Sequence, residues 1–281
     1  MITIGACMEV RNHHAISHSS ARLACLALLA VTVCMPAAAD ESADDDAATA
    51  PAGARHWQVE LKRQSTNRGT ESESTKTTLR IETLTDGPVA LLRLDLPFPD
   101  EKTDFEGSPF HPQRGDLKVK AGFAPFSVGG AKLTPLVELT FPTADPDSQG
   151  SGKYQIVPEI SSAIRLTSMG EPARRHELSL GWLVKQVVSF GGDENRKDIN
   201  YTSVELALRD TWRKDYSAKL TFKPVIDWEQ NGKTGAVGEL EGAMDVSRHW
   251  RVALMGGGLL WGSGVPSTYG ARVELTVRYR F

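Results

Sequence analysis

The chain has 281 residues, a formal net charge of −3 and 24% charged residues. That balance exerts no broad pull toward nucleic acid. A mean hydropathy below zero excludes a bundle of membrane-spanning helices, but not strands in which only every second residue is apolar.

All three cysteines, Cys7, Cys25 and Cys34, lie near the N-terminus, so no disulfide or cysteine metal site is expected further along. A polar stretch with Arg11 and Arg22 precedes the apolar run Leu23–Met35, which Pro36-Ala37-Ala38-Ala39 follows. This is the pattern of a signal peptide over 1–39, cleaved after Ala39. The run is shorter than the roughly 20 residues of a spanning helix, and Val33 before Cys34 argues against a lipoprotein. Residues 40–55 (DESADDDAATAPAGA and onward) are acidic and lack large apolar groups, which predicts a disordered leader. As a calcium-binding tail it would be weak, because loose carboxylates lack a loop geometry.

From His56 the sequence alternates. Trp57, Val59 and Leu61 oppose Gln58, Glu60 and Lys62, and a polar loop is expected over Gln64–Lys76. Leu79 and Ile81 follow, then the turn Asp86-Gly87-Pro88 and Leu92, Leu94, Leu96 and Phe98. A charged loop spans Pro99–Gly115. Leu117, Val119, Ala121 and Phe123 form one segment, and Leu133, Val137, Leu139 and Phe141 the next after Gly129-Gly130. Beyond the loop Pro142–Lys153 come Ile156, Ile160, Ile164 and Leu166, then Leu178, Leu180, Trp182 and Val184. The loop Gly191–Asp198 separates these from Val204, Leu206 and Leu208. Ala218, Leu220, Phe222 and Ile226 precede the turn Asn231-Gly232. Leu240, Met244 and Val246, then Trp250, Val252, Leu254 and Leu260, lead through Gly262–Ser267 to the last segment.

That last segment is the clearest. Val273, Leu275, Val277, Tyr279 and Phe281 alternate without exception with Arg272, Glu274, Thr276, Arg278 and Arg280. Successive side chains of a strand point to opposite faces. One apolar and one charged face suit a strand between lipid and a polar lumen. With about twelve segments, the expected fold is all-β: a transmembrane antiparallel up-and-down β-barrel over 56–281. A soluble sandwich also alternates, but its strands are shorter and its interior is not charged. Tyr154, Trp182, Tyr201, Trp212, Tyr216, Trp228, Trp250, Trp261, Tyr269 and Tyr279 cluster near segment ends, as interfacial girdles do. Gly256-Gly257-Gly258 reads as a strand kink.

Four stretches carry a resemblance. Leu133–Pro158 (LTPLVELTFPTADPDSQGSGKYQIVP) holds a Phe-Pro-Thr turn and a Gly-x-Gly-Lys loop. Leu94–Pro99 (LDLPFP) is followed by Gly115-Asp116-Leu117. Val184–Asn200 contains Ser-Phe-Gly-Gly-Asp, and Pro224–Phe281 contains Asp227-Trp228 and the aromatic closing strand. Over His56–Phe281 the chain resembles bacterial outer-membrane transporters of the "MetA-pathway of phenol degradation" type. The resemblance implies a barrel that passes small apolar molecules. This chain departs from the family in the dense charge of its final strand.

No His-Glu-x-x-His, Cys-x-x-Cys or complete phosphate loop is present, and Gly150-Ser151-Gly152-Lys153 reads as a turn. Among His56, His111, His176 and His249, the best hydrolase candidate is His176 near Ser179. Three residues apart on a strand, the two face opposite sides. No enzyme activity and no cofactor are expected.

The remaining candidates are inward charges. The cations are Arg80, Arg93, Lys118, Lys120, Arg165, Lys219, Lys223, Arg251, Arg272, Arg278 and Arg280. The acids are Glu138, Glu159, Glu205, Asp227, Glu239, Glu241 and Glu274, with Glu60, Glu82 and Asp95. They line either a solute-selecting pore or a lumen closed by mutual pairing; a twelve-stranded barrel lies between filled and open ones. The expected function is porin-like transport or binding of small molecules in a Gram-negative outer membrane. A non-conducting structural barrel and an outer-membrane lipid hydrolase are the alternatives. Expected partners are outer-membrane lipid, the barrel-assembly machinery and a small-molecule solute, with no nucleic acid.

Overall fold

A computed structural model of the chain describes residues 56–67, 73–100, 113–145, 147–169, 176–213 and 215–281. The signal-peptide and leader segments, His111, and most of the Pro99–Gly115 loop lie outside the described residues.

Thirteen strands follow one another among the described residues. They are β1 (His56–Asn67), β2 (Glu73–Leu84), β3 (Val89–Pro99), β4 (Leu117–Phe123), the short β5 (Phe126–Val128) and β6 (Ala131–Phe141). Then come β7 (Lys153–Met169), β8 (His176–Gly192), β9 (Asn200–Trp212), β10 (Tyr216–Asp227), β11 (Lys233–Asp245), β12 (Trp250–Trp261) and β13 (Ala271–Arg280). Every pairing is antiparallel. β4 pairs directly with β6, from Leu117↔Phe141 to Gly122↔Leu136. β1 pairs with β13, from Gln58↔Arg280 to Asn67↔Ala271. These two ladders close the sheet into a twelve-stranded barrel, with β5 left as a three-residue strand beside β6. Closure removes the unpaired edges an open sheet would expose.

The two faces are sorted inside out relative to a soluble domain. Leu61, Leu220, Leu240 and Leu254 are 50–60% exposed on the outer face, whereas Glu60 and Glu82 are each 1% exposed inside. A soluble sandwich would have buried the leucines, because burial of apolar area drives its folding. In lipid the apolar residues need no such burial, and a closed ladder pairs the backbone of each strand with its two neighbours.

One stretch differs from the sequence reading. Most of the polar stretch Gln64–Lys76 is strand: β1 and β2 pair through Ser65↔Thr75 and Thr66↔Ser74 up to Asn67↔Glu73. Serine and threonine mask the alternation, but a hairpin ladder does not require it, and Thr suits a strand. The glycine triplet lies within β12, as a strand position and not a loop, in register with β11 and β13.

The rim holding His56 and Arg280 is called the near rim, and that holding Asn67 and Ala271 the far rim. Outward aromatics band both. Phe141, Tyr154 and Phe190 form a chain at the far rim, with centroids 6.3 and 5.9 Å apart. His176, Trp212 and Tyr216 stack at the near rim with spacings of 6.5 and 6.2 Å, and Tyr279 touches Trp250 and Phe281, each at 4.9 Å. Trp182 lies well inside β8.

The far-rim loops are stitched together. Asp116 accepts hydrogen bonds from Ser151 N (2.6 Å), Ser151 Oγ (2.8 Å) and Ala144 N (3.3 Å). Lys153 Nζ pairs with Asp198 at 2.9 Å, and Arg196 Nη2 donates to the Asp147 carbonyl at 3.0 Å. The Gly-Ser-Gly-Lys element therefore acts as a turn. Hydrogen bonding from Lys153 holds the exposed Asp198 carboxyl below its ordinary pKa. A Cβ on Gly150 would lie 2.3 Å from Asp116 Oδ1 and 2.5 Å from Ala144 Cβ. Gly150→Ala is expected to break this turn at a cost of about 1–3 kcal/mol, because it displaces a nearly buried hydrogen-bonded carboxylate. A lowered denaturant midpoint in micelles checks this.

Candidate functional site: the charged lumen

Register places the charged positions of the strands on the inner wall, where they meet in clusters. The first cluster joins β13, β1, β2 and β3. Glu60 receives Arg278 Nε at 2.7 Å, Lys62 Nζ at 3.2 Å and Arg80 Nη1 at 3.4 Å. Arg80 turns its other donors on Asp95, at 2.7 and 2.9 Å. Glu82 accepts from both Gln58 and Arg93. Glu274 lies 3.6 Å from Lys62.

The second cluster lies on β4, β6 and β7. Glu138 is 3.3 Å from both Lys118 and Lys120. Lys120 reaches over β6 to hold Glu159 at 2.8 and 2.9 Å. The third joins β9, β10, β11 and β13. Lys223 sits between Glu239 (2.6 Å) and Glu205 (3.4 Å), Lys219 pairs with Glu241 at 3.6 Å, and Arg272 approaches Glu239 at 3.8 Å. Near the near rim, Asp245 takes Arg251 at 3.3 Å and Arg280 at 3.6 Å. Arg251 also donates to Ser217 Oγ at 2.7 Å. Arg165 pairs with Glu177. Buried charges are tolerable when paired and hydrogen-bonded, and mixed signs in register on neighbouring strands provide this.

Asp227 plays a different part from the other named charges. It forms no ion pair among the described residues and instead closes the β10–β11 turn, accepting from Glu229 N at 3.0 Å and Gln230 Nε2 at 2.5 Å.

Two tyrosines leave the girdle assigned from sequence. Tyr269 is 3% exposed, and its hydroxyl donates to Glu239. The Arg272 guanidinium lies 3.8 Å from the centroid of its ring, a cation–π distance. Gly257 makes room for this: a Cβ there would meet Glu239 Cγ at 2.7 Å and Tyr269 Oη at 3.0 Å. Tyr201 shares the β9 face of Ser203 and Glu205, and its hydroxyl accepts from Ser267 Oγ at 3.1 Å.

These contacts fold the β12–β13 connection over the inner wall. Val265 is 3% exposed, and Gln230 Nε2 holds the Gly264 carbonyl at 3.0 Å. A Cβ on Gly235 of β11 would lie 2.8 Å from the Gly262 carbonyl and 3.2 Å from Val265 Cβ, so only glycine admits the loop here. Positive φ at Gly262, Gly264 and Ser267 gives the connection its tight course. It reaches from β11 to Tyr201 on β9 and narrows the far mouth.

Beyond the charges named from sequence, the wall includes Gln58, Lys62, Lys76, Lys185 and Asp245. The parity of their segments marks Lys62, Lys185 and Asp245, whereas Lys76 stood in an expected loop and so had no face. Apolar residues share the interior: Leu91, Leu136, Val157 and Val187 are 3–7% exposed. His176 points outward, 3.3 Å from Asp210, with its side chain 59% exposed, while Ser179 is 8% exposed in register with Arg165 and Arg209 on the inner face. The two sit on opposite faces of β8.

No protein-family model matches the chain, and no curated protein matches its sequence. Solved structures do match. The COG4313 outer membrane channel from Pseudomonas putida F1 aligns with a TM-score of 0.57 and 14% identity, over 86% of this chain and 100% of that one. The NanC porin aligns at 0.53 and 9% identity, over 79% and 98%. The KdgM porin in complex with disordered oligogalacturonate aligns at 0.52 and 10% identity, over 80% and 99%. At these identities the likeness is one of fold: this chain has the closed antiparallel barrel found in bacterial outer-membrane channels.

Proposed function

We propose that the chain is a Gram-negative outer-membrane barrel through whose lumen small molecules pass. The observation that carries the reading is the inversion of faces, with acids 1% exposed inside and leucines up to 60% exposed outside. An interior of that polarity suits water and solute, and an exterior of that kind suits lipid. The structural neighbours, themselves channels and porins, support it. The finer reading, that the solute is aromatic or apolar, rests on the motif resemblance and on Leu91, Leu136, Val157 and Val187 beside the charges. Insertion by the barrel-assembly machinery after cleavage near Ala39 belongs to the same proposal.

Discrete conductance steps are expected when the purified protein is added to planar bilayers, together with solute flux in liposome-swelling assays. A second reading, a non-conducting scaffold, is favoured by the ion pairs that reach over intervening strands and by the folded-in β12–β13 connection. Absence of both steps and flux would establish that reading instead.

A further inference from the structure

At the near rim, the outer face of the barrel holds a cleft of about 370 Å³ lined by His176, Trp212, Arg213 and Tyr216. Register builds it. His176 on β8 stands opposite Trp212 on β9, which stands opposite Tyr216 on β10. The three rings run nearly parallel, with interplanar angles of 20° and 13°. The row is open to its surroundings, since the His176 side chain is 59% exposed and Tyr216 is 38% exposed. Arg213 is exposed too, and it forms no hydrogen bond or ion pair among the described residues. Its φ is +54°, a left-handed conformation that glycine or asparagine holds at lower cost. The β9–β10 turn therefore presents its cation from a backbone position that does not favour arginine.

His176 Nδ1 lies 3.3 Å from Asp210 Oδ2. A carboxylate only accepts, so in the neutral ring Nδ1 is the donor and Nε2 an acceptor. The cleft thus combines an unpaired guanidinium, an acceptor for a hydroxyl, and aromatic surface. Leu180, Leu208 and Leu220 lie in register on the same three strands and continue the outer face away from the rim. Leu208 and Leu220 are 39% and 57% exposed.

We propose that this cleft binds the headgroup of an anionic glycerophospholipid of the phosphatidylglycerol type. The assignment rests on the outer-membrane reading of the barrel and not on conduction. The guanidinium fork suits the phosphodiester oxygens, the headgroup hydroxyl donates to His176 Nε2, and the acyl chains lie along the leucines. Tryptophan and tyrosine at a rim stand at the level of lipid headgroups. The leaflet agrees. The two longest connections, 100–116 and 142–152, are both at the far rim, which makes the near rim the periplasmic one, and that leaflet is built of glycerophospholipid. A choline headgroup would bring a second cation beside Arg213 and no hydroxyl. Free phosphate has no acyl chains for the leucines.

The test titrates the full barrel, in micelles of an uncharged detergent, with phosphatidylglycerol and reads retained lipid by native mass spectrometry. A single saturable lipid per barrel is expected. It should be retained over phosphatidylcholine and phosphatidylethanolamine, and an equal concentration of inorganic phosphate should not displace it. Arg213→Asn should weaken retention about tenfold, the equivalent of one lost charge contact. The same variant should unfold at or above the wild-type denaturant midpoint, because asparagine suits the left-handed turn; loss of a merely structural arginine would not separate the two. Trp212→Ala should weaken retention severalfold, and Lys197→Gln, in the β8–β9 connection at the far rim, should leave it unchanged. Displacement by inorganic phosphate, equal retention of the three lipids, or retention that Arg213→Asn leaves unaltered overturns the site. Conductance is read separately. A barrel that conducts without retaining the lipid loses the site and keeps the pathway; one that retains it without conducting keeps the site and loses the pathway.

Discussion

Glu60→Ala is expected to destabilise the barrel by about 3–5 kcal/mol, the cost of removing one partner from a buried charge cluster. Glu60 is 1% exposed and serves Lys62, Arg80 and Arg278 at once. Without it three cations lose the carboxylate they share, while Arg80 keeps Asp95. The contact with Arg278 also crosses the seam between the first and last strands, a separation of 218 residues. Every other neighbouring pair of barrel strands is consecutive along the chain but for the short β5, whereas this seam depends on its ladder and its side chains. Denaturant titration in micelles, followed by tryptophan fluorescence, reads the effect. Glu60→Gln should be milder but of the same sign, and adding Arg278→Gln to it should recover part of the loss by removing one of the cations that shared the carboxylate. If Glu60→Ala unfolds at the wild-type midpoint, the cluster does not hold the seam.

Removing Val265 to Ser267 from the β12–β13 connection is expected to raise single-channel conductance severalfold. This segment covers the inner face of β11 at Gly235 and reaches Tyr201 on β9 through Ser267. Conductance follows the narrowest section of a pathway, so withdrawing the element that narrows the far mouth has a larger effect than changing any one wall charge. Gly235→Val reaches the same end by another route, since its side chain would occupy the space of the Gly262 carbonyl and Thr268 Cγ2, now 2.8 and 2.9 Å from a Cβ there. Tyr269→Phe keeps the ring beneath Arg272 but loses the hydrogen bond to Glu239, and should give a smaller increase. Conductance unchanged by both the deletion and Gly235→Val would place the constriction elsewhere.

The fold was legible because a strand's alternation is a local property with a period of two. Arg272 to Phe281 alone states which side of β13 is apolar, and about twelve such segments imply a ring. The same parity placed Arg80, Glu138, Lys223 and Arg278 on one face without knowledge of their partners. Where apolar residues are absent, as in Ser65–Thr75, the period has no contrast and the hairpin was read as a loop. Short β5 was missed because Phe126–Val128 is too brief to display any period.

What only the tertiary structure decided is which charge meets which. Pairing depends on the register between strands, on curvature that lets Lys120 reach past β6 to Glu159, and on closure that brings Arg278 to Glu60; none of these is a property of one segment. The inward course of Gly262–Gly270 was likewise hidden. A tyrosine near a strand end reads as a girdle residue until the loop is seen to turn inward, placing Tyr269 on Glu239. The sequence by itself determined the strands and their faces, because these follow from neighbours in the chain; the counter-charges, the seam and the narrowed mouth depend on neighbours in space.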